Sequence, residues 1–184
     1  MIPPPGVATL VACARYEGAI RRAIVAAKYR GAFSVFSSFA LVLASELAVA
    51  GPFDVVVSPP AAPEHRRFRG FDPAGVLAVA VARRLRCPYS RVLRRRGGAQ
   101  TGRNRRDRSI GIELVAFRAV CARVLIIDDV VTTGATLVRA ADALRRAGAQ
   151  EVHAGVAALV GDNCALGTFA RSPSELRGSN PERG

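Results

Sequence analysis

Hydrophobic and polar positions along this chain switch repeatedly between two spacings. From Glu17 to Tyr29 the apolar residues Ile20, Ile24 and Ala27 recur at helical spacing, with Arg21, Arg22 and Lys28 off that face. A helix is expected there, stopped at Gly31. Phe33 to Val49 reads as a second helix, punctuated by Gly51-Pro52. Asp72 is a suitable N-cap and Pro73 a suitable first residue for a third, running to about Arg86. A fourth passes through Leu137, Ala140, Ala141 and Leu144 to Gly148. Between them lie short apolar runs that do not alternate and so read as strands buried on both faces. These are Asp54 to Val57, Arg123 to Ile127 and Val152 to Val160, with Val7 to Cys13 after a stiff Pro3-Pro4-Pro5-Gly6 leader and a weaker run from Ile110 to Val120.

Strands that alternate with helices imply an α/β fold, a doubly wound and mainly parallel sheet with helices on both faces. Ligands in such sheets bind at the carboxyl ends of the strands. Length suits a single domain over residues 1–160, with N-terminal helices in 1–51 and a core in 52–160, followed by a flexible tail over 161–184. The Arg-rich stretch from Arg94 to Arg108, which lacks Val, Leu and Ile, reads as an exposed, mobile loop.

Composition narrows the partners. The formal net charge is +13, carried far more by Arg than by Lys, and a planar bidentate cation suits phosphate and carboxylate ligands. Cysteines at 13, 87, 121 and 164 show no close pairing, so neither a zinc site nor a disulfide framework is implied, and a cytoplasmic location is expected. The most apolar stretch, Phe39 to Ala50, contains Glu46 and is too short to span a bilayer. No basic region followed by a long apolar run marks a signal peptide at the N-terminus. A P-loop nucleotidase is excluded by the lack of Gly-x-x-x-x-Gly-Lys-Ser/Thr, and a Rossmann dehydrogenase by the lack of Gly-x-Gly-x-x-Gly after a first strand.

The candidate chemistry sits at the strand-to-helix turn. Asp128 and Asp129 follow a hydrophobic strand, and two adjacent carboxylates there must face water, a cation or a polyol, because desolvating like charges is costly. Ribose hydroxyls are good donors to such a pair, with Mg²⁺ close by. The following segment, Val130, Val131, Thr132, Thr133, Gly134, Ala135 and Thr136, suits an anion instead. Gly134 permits a tight turn, and Thr132, Thr133 and Thr136 place hydroxyls beside free backbone N–H groups at a helix start. Acids and an anion nest a few residues apart match a sugar carrying a phosphate.

This segment resembles the phosphoribosyl pyrophosphate (PRPP) motif of type I phosphoribosyltransferases. In that family two acidic residues hold the ribose hydroxyls, here matched by Asp128 and Asp129, and a Thr/Gly loop wraps the 5′-phosphate. Further motifs are similar to the ComF-like (competence protein F) branch. They are Tyr16-Glu17-Gly18, Lys28-Tyr29-Arg30-Gly31, the segment Pro60 to Ala74 with Arg67, Arg69, Gly70 and Phe71, and Gln100-Thr101 with Arg108. The Cys-rich zinc module with which ComF proteins often begin is not in this sequence, and the Asn of the branch's Arg-Gly-Phe-Asn is Asp72.

The resemblance implies a transferase that binds PRPP or a ribonucleoside monophosphate. It would displace pyrophosphate at the anomeric carbon with a nitrogenous acceptor, using Mg²⁺ that Asp128 and Asp129 reach indirectly, through ribose or water. Pro59, Pro60, Arg66, Arg67 and Lys28 become candidates for pyrophosphate contacts. Arg105 and Arg108 become candidates for closing over the substrate on a lid, joining Asp128 and Asp129 as catalytic residues. The alternative is a non-catalytic ComF-type protein that binds PRPP or a nucleotide, or serves DNA uptake by binding nucleic acid through the Arg-rich loop. His65 and His153 have no catalytic partner evident in the sequence. No membrane partner is expected; the oligomeric state is left open, a homodimer included.

Overall fold

The apolar run that begins at Arg123 becomes an interior strand of the sheet. The computed structural model describes residues 3–63, 67, 69–97, 113–120, 122–161 and 170–171. In chain order the elements are β1 (Thr9–Arg15), α1 (Gly18–Arg30), α2 (Ser34–Leu47), β2 (Val55–Val57), α3 (Pro73–Leu85), β3 (Leu93–Arg96) and β4 (Glu113–Ala116). β5 (Arg123–Val131), α4 (Ala135–Arg146), β6 (Glu151–Leu159) and β7 (Ala170–Arg171) complete them. The sheet has the order β2-β5-β6-β1-β7. β2, β5, β6 and β1 are parallel, and β7 adds an antiparallel edge to β1. This is the expected doubly wound, mainly parallel α/β arrangement.

The strand alternation sets the layers. Val124 and Ile126 of β5 join Leu137, Ala140, Ala141 and Leu144 of α4 in one core, together with Leu93 and Leu114 of β3 and β4. Leu125 and Ile127 face the other way, into a core with Ile24 of α1, Phe36, Leu43 and Leu47 of α2, and Leu77 and Val81 of α3. Burying each of these side chains contributes roughly 1.5–3 kcal/mol, so slipping β5 by one residue would cost both cores at once. The layers pack tightly at Gly155, where an added Cβ would lie 2.8 Å from Leu47 Cδ1 and 2.9 Å from Ile127 Cδ1.

Capping follows the sequence signals in α1 and α3. Gly31 ends α1 in the left-handed conformation, φ 73°. Asp72 accepts a hydrogen bond from the Gly75 amide (3.4 Å), and Pro73 opens α3.

Four expectations are corrected. β1 runs two residues later than Val7 to Cys13, because its pairing with β6 continues to Arg15 opposite Leu159. β5 does not end at Ile127 but continues to Val131, because β6 remains beside it and pairs with Val130 and Val131. Arg94, Arg95 and Arg96 are not loop. They pair with Val115, Leu114 and Glu113 in a two-stranded ribbon. Main-chain pairing needs no apolar side chains, and Leu93 and Leu114 anchor the ribbon to the core. Finally, Ala170–Arg171 of the expected tail pair with Thr9 and Leu10 at the sheet edge. Residues 98–112, which hold the rest of the Arg-rich stretch after Gly97 and the start of the weak Ile110 to Val120 run, and residues 162–169 and 172–184 of the tail lie outside the described residues. Among the described residues no helix is long and apolar enough to cross a membrane.

Candidate functional site

Asp128 and Asp129 stand near the carboxyl end of β5, past the last residue of β2, which pairs at Ile126. Both are half-buried. The amide of Asp129 donates to Asp128 Oδ1 (2.8 Å), and the amide of Val130 donates to Asp129 Oδ1 (2.7 Å). Asp129 continues the odd-numbered face of β5, the side on which α1 packs. There its Oδ2 lies 2.6 Å from Lys28 Nζ, each side chain only 14% exposed. The Asp128 carboxyl is pushed well above the ordinary carboxylate range, first by burial and then by the adjacent Asp129 charge. A hydrogen bond from the Asp129 amide and the Lys28 charge oppose that shift without cancelling it.

The turn after β5 opens a helix. Gly134 is the N-cap of α4 with φ 77°, a left-handed conformation that a side chain would strain, and a Cβ there would lie 3.7 Å from Pro4. Thr132, Thr133, Ala135 and Thr136 are exposed, while Val131 is buried and Val130 half-buried. The Ala135 amide donates to Thr133 Oγ1 at 3.4 Å, and the Val138 amide donates to the Gly134 carbonyl (3.0 Å). Hydroxyls and helix-start amides thus share one exposed surface directly beyond the two acids. The leader that holds Pro4 is itself tied to α4, because Arg145 Nε donates to the Gly6 carbonyl (3.0 Å).

Other candidates fall into place unevenly. Pro59 is buried and Pro60 half-buried just after β2, and the register sets Ser58 level with Ile127. Ser58 Oγ and Tyr89 Oη lie 2.9 Å apart and hold this bend. Arg67 is exposed. Lys28, a candidate for the pyrophosphate, pairs with Asp129 in the ligand-free protein. Arg66, Arg105 and Arg108 lie outside the described residues, as do His65, Gln100 and Thr101. His153 is buried near the start of β6, 3.3 Å from Glu151 and level with Leu125, not with the acids.

Sequence reasoning missed one constellation. Arg69 donates from Nη2 to Tyr29 Oη (2.8 Å), and its guanidinium lies 4.8 Å over the Tyr29 ring. Beside it the Phe33 and Phe71 rings meet edge to face at 4.8 Å. Two motifs some forty residues apart therefore clasp each other next to Lys28. Their joint occurrence in the sequence was the available signal; nothing in either alone predicts contact.

The phosphoribosyl transferase domain family matches residues 74–166. No curated protein matches. Among solved structures, glutamine phosphoribosylpyrophosphate amidotransferase from B. subtilis, complexed with ADP and GMP, is 28% identical with a TM-score of 0.48, over 68% of this chain and 26% of that one. Purine phosphoribosyltransferase from Pyrococcus horikoshii Ot3 is 20% identical with a TM-score of 0.47, over 68% and 73%. Orotate phosphoribosyltransferase from Aeropyrum pernix is 21% identical with a TM-score of 0.41, over 74% and 62%. The chain spans only about a quarter of the amidotransferase. The matched half of the sequence runs from α3 past β6 and contains both the acidic pair and the Gly134 turn, and the chain belongs to the phosphoribosyl transferase domain family, with its type I fold.

Proposed function

We propose that this protein binds PRPP or a ribonucleoside monophosphate and transfers the phosphoribosyl group to a nitrogenous acceptor. The acceptor nitrogen would form the new bond to the anomeric carbon as the bond to pyrophosphate breaks, and the nitrogen would lose its proton. The observation that carries the reading is the placement of two half-buried carboxylates directly before an exposed, Gly134-capped helix start. Asp128 and Asp129 hold the ribose hydroxyls, and Val130 to Thr136 wrap the phosphate. Pro59, Pro60, Arg66, Arg67 and Lys28 serve the pyrophosphate, and Arg105 and Arg108 close over it. Charge that develops on the ring and the leaving group is met by fixed charges rather than by covalent chemistry. The single domain over 1–160, the cytoplasmic location and membership of the ComF branch belong to the same proposal. The clasp of Arg69 on Tyr29 and of Phe71 on Phe33 supports the last of these, because it joins the two branch-like motifs.

Mg²⁺ fits the donor set in a restricted way. Among the described residues no group of three or more His, Cys, Asp or Glu is placed to hold a metal ion. Two carboxylates are hard oxygen donors, so the ion would be held chiefly by ligand oxygens and reached by Asp128 and Asp129 through ribose or water. When bound it supplies charge neutralisation at the pyrophosphate.

Thermal-shift and calorimetric titration with PRPP and ribonucleoside monophosphates, with Mg²⁺, tests the proposal. Stabilisation by these ligands that Asp128→Asn and Asp129→Asn abolish is expected; no stabilisation of the wild type sinks it.

A second reading is favoured by the ribbon, where Arg91, Arg94, Arg96 and Arg118 are all exposed. In that reading the protein is a non-catalytic ComF-type component that binds nucleic acid through this surface. It predicts affinity that falls steeply with salt and with Arg→Ala changes on the ribbon, while Asp128→Asn leaves it intact.

A further inference from the structure

Asp129 is meant to receive a sugar, yet both its oxygens are already engaged. Oδ1 takes the Val130 amide, and Oδ2 takes Lys28 at 2.6 Å. This is no loose surface pair, since both side chains are 14% exposed. Nor is Lys28 free to swing with its helix. The preceding Ala27 and Ile24 are fully buried in the core under α1, Gly31 ends the helix three residues on, and the neighbouring Tyr29 is clasped by Arg69. The ammonium is therefore aimed at Asp129 by a rigid element, and only its own side chain can move away.

We propose that Lys28 is a built-in counter-ion that keeps free divalent cations off the acidic pair until the sugar diphosphate arrives. The inference rests on the reading of Asp128 and Asp129 as the sugar-binding acids. Two adjacent carboxylates on a strand end would otherwise attract a divalent ion from solution, and an ion on Oδ2 would sit against the Lys28 charge and be repelled. A sugar diphosphate carries its own cation together with more negative charge than Asp129 offers. It draws the ammonium from Asp129 to the diphosphate as the ribose hydroxyls replace it. Lys28 thus acts as a positioning residue in the ligand-free protein and as a pyrophosphate contact in the complex. This orders binding, with the cation entering on the ligand rather than ahead of it.

Mn²⁺ binding, followed by electron paramagnetic resonance of the free ion without and with PRPP, tests the order directly. Wild type and Lys28→Arg are expected to bind Mn²⁺ negligibly without PRPP, and Lys28→Met to bind it at least about tenfold more tightly, as expected when a repelling charge near a ligand is removed. Equal, weak Mn²⁺ binding by wild type and Lys28→Met overturns the proposal. So does tight Mn²⁺ binding by the bare wild-type protein, a result that needs no variant to fold. Failure of PRPP to bind wild type, or binding unchanged in Asp129→Asn, instead defeats the reading of the site itself. PRPP binding that requires Asp129, with Mn²⁺ indifferent to position 28, removes the counter-ion role alone.

Discussion

One strand, β5, carries charged clusters at both of its ends, and the two are built on opposite principles. At its start Arg123 donates from Nε to Glu151 Oε2 (2.7 Å) and from Nη2 to the Ala50 carbonyl (3.2 Å), and its amide donates to Asp54 Oδ2 (2.7 Å). His153 lies 3.3 Å from the same Glu151 and stacks edge to face on Phe53, with ring centroids 5.2 Å apart. Unlike charges alternate, and each group meets a partner. Burial pushes Glu151 upward, but hydrogen bonds from His153 and Arg123 outweigh it and hold the carboxyl below the ordinary glutamate range. At the far end two like charges stand side by side, Asp128 is pushed the other way, and one lysine partly compensates. Satisfied charge is what a fold uses to hold strands in register. The proposed sugar site rests on this under-compensated charge at the carboxyl edge of the parallel sheet, where folds of this kind bind ligands.

Substitutions at the two ends should separate binding from stability. The largest effect is expected for Asp129→Asn, a loss of PRPP affinity of about 100-fold or more in calorimetric titration, since charge-assisted hydrogen bonds to the sugar vanish. Its fold should survive. Glu151→Gln should do the reverse, with PRPP affinity unchanged and about 1–3 kcal/mol lost in urea unfolding, because Arg123 and His153 lose a charged partner. A Glu151→Gln protein that loses PRPP binding while folded would erase the distinction between the two ends. Gly134→Ala forces a left-handed residue at the helix start at about 1–2 kcal/mol and should weaken phosphate-bearing ligands about tenfold, measurable with ribose 5-phosphate.

The smallest effect carries the clearest sign. Asp128 has a folded pKa raised above its unfolded one, so its ionisation destabilises the ligand-free fold at neutral pH, and that penalty disappears once acid protonates both states. Asp128→Asn should therefore raise the unfolding temperature by about 2–4 °C at neutral pH, with the gain shrinking as pH falls. Glu151 has a depressed pKa, so its stabilising contribution is present above the ordinary glutamate pKa and lost as pH falls through its folded value. Thermal unfolding of Asp128→Asn and Glu151→Gln against pH should show the two differences from wild type with opposite signs, both shrinking toward acid. Equal slopes would remove the contrast.

Much of this was legible beforehand because it is local. The helix through Ile24 and Ala27 with its Gly31 stop, the Asp72-Pro73 start, and the strand-acid-acid-turn order of Val124 to Thr136 depend on residues within one or two turns of each other. What escaped depends on pairing between distant segments. Arg94 to Arg96 look like loop until Leu114 and Glu113 lie beside them, and β5 appears to stop at Ile127 until β6 is seen to continue alongside. The site residues divide the same way. The acids and Gly134 are recognisable in one stretch, whereas the clasp of Arg69 on Tyr29 joins positions 40 residues apart.

By itself, then, the chain's sequence determined where the helices, their caps and the acid-acid-turn segment lie, because backbone conformation, capping and periodicity are set by near neighbours. Only the tertiary structure decided that Lys28 rests on Asp129. Helix α1 and strand β5 are brought together by burial of Ile24 and Ile127 in one core, and no short-range rule specifies which charge then meets which.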